Sequence, residues 1–224
     1  MIKLDILSDP VCPWCYIGKA NLDRALGGHP EHPFAIEWHP FQLNPGMPPE
    51  GMDRRSYLEA KFGGKERAAE VYARIDEAAR AAGLEIDWSG IAVTPNTLNA
   101  HRLIHWAGIE GRQTFVVDRL FRAYFREGRD IGDAEVLLDI AEAAGLDREM
   151  IARLLASDAD AEDIRARDAH ARHRGVTGVP TFVLGNRHVV PGAQPPELWA
   201  QVIDDIARQE AAGDGAAPPT AEGQ

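Results

Sequence analysis

Two cysteines frame the segment Cys12-Pro13-Trp14-Cys15, and they are the only cysteines in the 224 residues. An apolar run ending at Leu7 precedes them and a helical pattern follows at once. A sulfur at a helix N-terminus lies beside unpaired backbone N–H groups and the positive end of the helix dipole, conditions that favour the reactive thiolate. Cys12 has that position, and Cys15 follows one turn later. A disulfide between them closes a very small loop, so it restrains the unfolded chain little and exchanges readily. The pair therefore reads as a redox dithiol in which Cys12 attacks a substrate disulfide and Cys15 resolves the mixed disulfide. Pro13 and Trp14, between the sulfurs, tune the pair, and Trp14 offers an aromatic surface to substrate.

A C-x-x-C pair is also half of a zinc site, but such a site needs a second Cys or His pair. His101 and His105 stand at i, i+4 and His170 and His173 at i, i+3. Neither pair has the intervening Glu or further ligands of a zinc enzyme, and no metal is expected.

The dithiol must be held by elements around it. Residues 2–8 read as a buried strand, and Asp9-Pro10 turn the chain into a helix running from Cys12 to about Leu26. Gly27-Gly28 end that helix, and residues 34–40 read as a second strand, giving a βαβ opening with a parallel pair. From Arg54 to Arg174 the spacing is helical almost throughout, enough for five to seven helices. A short extended segment is expected between Gly83 and Trp88-Ser89-Gly90, and Thr94-Pro95 mark a helix entrance, with Asn96-Thr97 as caps. Strands return at Pro180–Leu184 and His188–Val190 around a Gly185-Asn186 turn, followed by an amphipathic helix from Pro195 to about Arg208. Trp38, Trp88, Trp106 and Trp199 are expected in the core.

Composition narrows the function classes. The net charge is −11, with 24 basic and 35 acidic residues and no Lys/Arg block able to track phosphates, so neither nucleic acid nor an anionic membrane is an expected partner. No apolar stretch is long enough to span a bilayer. Met1 is followed almost at once by the first strand, leaving no room for a signal peptide, and a cytoplasmic location is expected.

The order strand, helix, strand, helical block, hairpin, helix is that of an α/β protein of thioredoxin-like fold with a large all-α insertion. Residues 1–50 and 175–210 would form the thioredoxin-like domain, 51–174 the insertion and 211–224 a disordered tail. Four separated motifs carry a family resemblance. They are Ser8 to Gly18, Pro40 to Pro45, Asn96-Thr97 with Ala100 to Leu103, and Gly178 to Phe182 with Gly192-Ala193-Gln194. The sequence resembles the DsbA-like thioredoxin superfamily, and within it the FrnE-type oxidoreductases related to 2-hydroxychromene-2-carboxylate isomerases.

That resemblance implies that Pro180 is cis and that the Val179 backbone contacts substrate beside the dithiol. It also implies a buried acid in the first strand as proton shuttle, but the corresponding position is Ile6. Asp5 points to the opposite face by strand alternation, which leaves water, Glu37 or His39 to move the proton. No tightly bound cofactor is expected, and glutathione is a candidate reductant or co-substrate.

The leading expectation is a thiol–disulfide oxidoreductase acting on protein or small-molecule disulfides, with reduction or isomerisation favoured because a reducing cytosol keeps such a dithiol reduced. One alternative is a glutathione-dependent isomerase or transferase. Related isomerases have Ser where Cys12 stands and hold glutathione through an Asn placed like Asn44 and an acidic residue near the position of Gln194. Another is a non-catalytic binding or chaperone module. A monomer or a dimer fits equally.

Overall fold

A computed structural model of the chain describes residues 1–214. In chain order the elements are β1 (Ile2–Ser8), α1 (Pro13–Gly27), β2 (Phe34–Pro40), β3 (Met52–Asp53), α2 (Arg54–Phe62), α3 (Lys65–Ala81) and β4 (Val93–Thr94). There follow α4 (Leu98–Ile109), α5 (Gln113–Phe125), α6 (Ala134–Ala143), α7 (Arg148–Leu155), α8 (Ala161–His173), β5 (Thr181–Leu184), β6 (His188–Pro191) and α9 (Pro196–Asp214).

Four strands form one sheet in the order β2-β1-β5-β6. β1 runs parallel to β2, with Ile6 opposite Trp38, and antiparallel to β5, with Ile6 opposite Phe182. The parallel pair needs a crossover, which α1 supplies. β5 returns into β6 through a turn in which Gly185 and Asn186 both have positive φ, 56° and 59°. These are the conformations a type I′ hairpin demands, and Gly and Asn adopt them most readily.

Strand alternation divides β1 between two packing layers. Leu4 and Ile6 join Cys15, Phe182 and Trp199 beneath α1 and α9, while Leu7 packs with Phe41 and Ala171 of α8 on the other face. Gly18 lets α1 lie close to the sheet: a Cβ there would stand 3.0 Å from Pro180 Cγ and 3.4 Å from Phe182 Cζ.

Seven helices occupy the stretch from Arg54 to His173 among the described residues. Their ends follow from short polar side chains and glycine. Asp53, Asp133 and Asp147 accept N–H hydrogen bonds at the starts of α2, α6 and α7 (2.9, 2.8 and 2.9 Å), and Gly63 ends α2 in the left-handed region. Leu103, Leu120, Phe121 and Leu137 are fully buried where α4, α5 and α6 meet. This apolar cluster is continuous with that of the sheet. Tyr16, directly after Cys15, stacks on Phe121 and Phe125 at 5.2 and 5.5 Å between ring centroids.

Two expectations need correction. The stretch 51–174 is not wholly helical, because β3 pairs with β4 (Met52 opposite Thr94) in a ribbon too short to show any periodicity. Residues 84–87, expected as a short extended segment, lie outside helix and strand, and a two-residue strand follows at Val93–Thr94. The last helix passes Arg208 and runs through Asp214, where a tail was expected from residue 211; the remainder of that tail, 215–224, lies outside the described residues. Trp38, Trp106 and Trp199 are core residues, while Trp88 is half-buried against Tyr72 and Phe125. Among the described residues no helix is long and apolar enough to cross a membrane.

Candidate active site

Cys12 is the N-cap of α1 and Pro13 its first helical residue, where a missing N–H costs nothing. Pro13 is half-buried and Trp14 is 38 % exposed, so the middle of the motif faces outward. Both sulfurs are free and buried. They are nevertheless unequal. Cys12 lines a cavity of about 260 Å³ together with Val11, Trp14, Leu43 and Val179, whereas Cys15 does not reach it. Burial pushes the Cys15 thiol well above its ordinary value, and the neighbouring Cys12 sulfur adds to that; hydrogen bonds from the Asp9 backbone N–H and the Ser8 hydroxyl oppose it. Cys15 is thus held as a thiol behind Cys12.

The Val179–Pro180 peptide is cis. It lies across the dithiol: Cys12 Sγ is 3.6 Å from the Val179 carbonyl oxygen, and Val179 and Gly178 form one wall of the cavity. The second motif also converges here. Gln42 donates to Asn96 Oδ1 and Thr97 Oγ1, each at 3.5 Å, and Asn96 both accepts the Leu98 N–H at 2.9 Å and donates to the Met47 carbonyl at 2.6 Å. Thr97 is the N-cap of α4 and makes no side-chain capping bond, so it is Asn96, one residue earlier, that satisfies the first N–H of the helix and ties it to the loop after β2.

Asn44 reaches the cavity only through Tyr57, whose hydroxyl donates to Asn44 Oδ1 at 2.9 Å. Gln194 is not among the cavity-lining residues; its side-chain amide turns back to the Pro191 carbonyl at 2.7 Å and its own carbonyl accepts from Asn21 at 2.9 Å.

The proton-transfer candidates Glu37 and His39 are on the wrong face. His39 Nε2 is 2.7 Å from Asp5 Oδ1, and Lys3 bridges Asp5 and Glu37 at 3.0 and 2.9 Å, on the side of the sheet away from Ile6. Asp5, Glu37 and His39 are also the one group of three ligand-type side chains that gathers among the described residues, and the Lys3 ammonium already supplies its cation. His101 and His105 diverge, the first to Asp9 and the second to Arg167.

The residue that does stand buried beside the dithiol is Asp9, fully inaccessible. Its Oδ2 accepts the Leu43 N–H at 2.6 Å, its backbone oxygen accepts the Cys12 N–H at 2.9 Å, and His101 Nε2 is 3.7 Å from Oδ1. That nitrogen has no hydrogen-bond partner and His101 is 3 % exposed. In the sequence Asp9 looks like a turn residue before proline, and nothing local says that its carboxylate points inward.

The far wall of the cavity comes from α2, α3 and α5. Arg54, Tyr57, Leu58 and Lys61 recur on one face of α2, with Tyr72 and Tyr124 behind Arg54. Burial holds the hydroxyls of Tyr72 and Tyr124 protonated above their ordinary value. The helical spacing of these residues is visible in the sequence, but their meeting with Cys12 depends on how the insertion folds back.

A sheet of this topology, with a cis-proline strand set against a dithiol at the start of its first helix, defines a thioredoxin-like protein with a helical insertion. The chain belongs to the DSBA-like thioredoxin domain family, whose profile matches residues 3–204. It is 32 % identical to a probable DsbA oxidoreductase from Streptomyces coelicolor, with 99 % of this chain and 94 % of that one aligned and a TM-score of 0.82. A 2-hydroxychromene-2-carboxylate isomerase shares the fold at 20 % identity (96 % and 100 % aligned, TM-score 0.71). So does the cytosolic disulfide reductase DsbM from Pseudomonas aeruginosa at 22 % (92 % and 99 % aligned, TM-score 0.65).

Proposed function

We propose that the protein is a cytoplasmic thiol–disulfide oxidoreductase working in the reducing or isomerising direction. The observation that carries this reading is the inequality of the two sulfurs: Cys12 faces the cavity under the Val179 carbonyl, and Cys15 is sealed behind it as a thiol. The Cys12 thiolate attacks a substrate disulfide, forming a mixed disulfide and releasing one substrate thiolate. Cys15 then gives up its proton and attacks the Cys12 sulfur, which releases the second substrate thiol and leaves a Cys12–Cys15 disulfide. The substrate gains two electrons and the enzyme loses them. Two equivalents of a thiol such as glutathione restore the dithiol and leave as their own disulfide; a structure of DsbM with glutathione supports that choice of reductant. Pro13, Trp14, Val179 and Pro180 are the substrate platform in this reading, with Asn44 acting through Tyr57. A cysteine at position 12, where the related isomerases have serine, favours this chemistry over glutathione-dependent isomerisation.

A Cys15→Ser variant incubated with disulfide substrates or a cell extract is expected to accumulate a mixed disulfide at Cys12, visible by mass spectrometry. Titration of the dithiol against glutathione is expected to give a reducing potential. A strongly oxidising potential would refute the proposed direction, and no adduct at Cys12 would refute the mechanism.

A further inference from the structure

Arg54 is 9 % exposed and permanently charged, yet no carboxylate among the described residues lies within 4.0 Å of it. Its Nη1 donates to the Tyr124 hydroxyl at 3.0 Å and its Nη2 to the Tyr72 hydroxyl at 2.9 Å, so two of five N–H groups are used, both on neutral oxygens. The rings of Tyr72, Trp88 and Tyr124 lie 5.4 to 5.9 Å from the guanidinium and offset part of its desolvation. A buried cation without an anion is costly, and such charges are normally paired. The cavity it lines contains a second cation, Lys61, and no Asp or Glu. Among the described residues Lys61 also has no acidic partner, and it donates instead to the Tyr57 hydroxyl at 2.7 Å. Apart from Cys12, Thr94 and Gly178 the remaining lining is apolar or aromatic, and the volume of about 260 Å³ suits one ring or a short chain, not a folded segment.

We propose that the missing counter-ion arrives with the substrate: the Cys12 cavity selects small disulfides with an apolar body and a carboxylate, and Arg54 is the residue that determines this preference. The assignment rests on the redox reading above and adds its substrate class. Tyr72 and Tyr124 hold the guanidinium in the cavity wall with N–H groups to spare, and a carboxylate entering the cavity forms charge-assisted hydrogen bonds to it while its disulfide meets Cys12. Lys61 at the rim adds attraction during entry.

The test compares reduction of two aryl disulfides, the dianionic dithiobis(nitrobenzoate) and the neutral dithiodipyridine, by the intact, pre-reduced protein in single turnover, with all free thiol removed because glutathione reduces both reagents directly. The readout is the ratio of their second-order rate constants. In Arg54→Met this ratio is expected to fall by roughly 10- to 100-fold, the worth of a charged hydrogen bond, and Arg54→Lys is expected to restore part of it. Because each variant is its own reference, loss of folded protein lowers both rates and leaves the ratio intact. An unchanged ratio, whether both rates persist or both fall together, overturns the proposal and leaves Arg54 as a strut between α2 and the tyrosines. If the unmodified protein reduces both disulfides through Cys12 without a charge preference, the anion assignment fails and the redox reading stands. If it reduces neither, both fail.

Discussion

Arg54 and Arg102 are both largely buried and both stand over aromatic rings, yet their surroundings differ in kind. Arg102 lies at the joint between α7 and α8, where its guanidinium donates to the carbonyls of Leu154, Ser157 and Ala159 at 2.6, 2.8 and 2.7 Å and to Asn99 Oδ1 at 2.8 Å. The Leu154 carbonyl lies in the last turn of α7, at the negative end of its dipole, and those of Ser157 and Ala159 in the connection to α8, so the cation satisfies groups that helix and loop leave free. Arg54 meets only two tyrosine hydroxyls and an open cavity. One buried arginine completes the fold, and the other is left incomplete by it. The contrast shows that burial of a charge does not reveal its purpose; the identity of its partners does.

If the cavity region serves chemistry and the joint serves stability, substitutions in the two should separate cleanly. The largest effect belongs to the cavity. Cys12→Ser is expected to lower disulfide reduction by about a thousand-fold or more in a steady-state assay, with little change in the thermal midpoint. Arg102→Ala should do the reverse, costing about 3 kcal/mol in denaturant unfolding because several buried carbonyls lose their donor, while the folded fraction retains its rate. A comparable loss of stability in both variants would dissolve the distinction.

A smaller effect tests the state of Cys15. Because its thiol is raised above the ordinary value of 9.0, the proposed resolution of the mixed disulfide by Cys15 should be limited by thiolate and accelerate roughly tenfold per pH unit through the neutral range. The same shift has a thermodynamic counterpart. A pKa higher in the folded than in the unfolded chain means that the reduced protein binds the extra proton when folded, so its stability declines as pH rises past 9.0. The oxidised protein has no such group, and the stability difference between the two forms measured against pH checks both statements.

The smallest expected effect concerns how closely α1 approaches the cis-proline strand. Gly18→Ala places a methyl 3.0 Å from Pro180 Cγ, and repacking should cost about 1 to 2 kcal/mol by thermal or denaturant unfolding. Displacement of Pro180 would also slow exchange at Cys12, so this variant alone is expected to lower both quantities together.

The sheet and its helices were legible in the sequence because their signals are local. Alternation in β1, the glycines after α1, the Gly185-Asn186 turn and the helical spacing from Arg54 onward each act within a few residues. The cavity was only half legible. Cys12, Trp14 and Val179 stand in short motifs, whereas Arg54, Tyr72 and Tyr124 come from three helices and acquire meaning only when those helices meet. Asp9 was misleading for a related reason: a residue type common in turns gives no hint that Leu43 and His101 will enclose its carboxylate. The β3–β4 ribbon escaped because two-residue strands have no period, and Glu37 and His39 were misplaced because their distance from Cys12 in the fold is not written in the β2 pattern.

The stacking of Tyr16 on Phe121 and Phe125 has a consequence for modularity. The residue next to Cys15 takes its seat from the insertion, so the helix that starts at the two cysteines and the helical block form a single unit, and the block cannot be exchanged as a cassette without unseating that helix. The part free to vary is narrower. Helix α2 buries only Arg54 and otherwise meets the cavity along one face. If the proposed function holds, a lineage or an engineer wishing to change what this protein accepts can rewrite positions 54 to 61 without touching either cysteine.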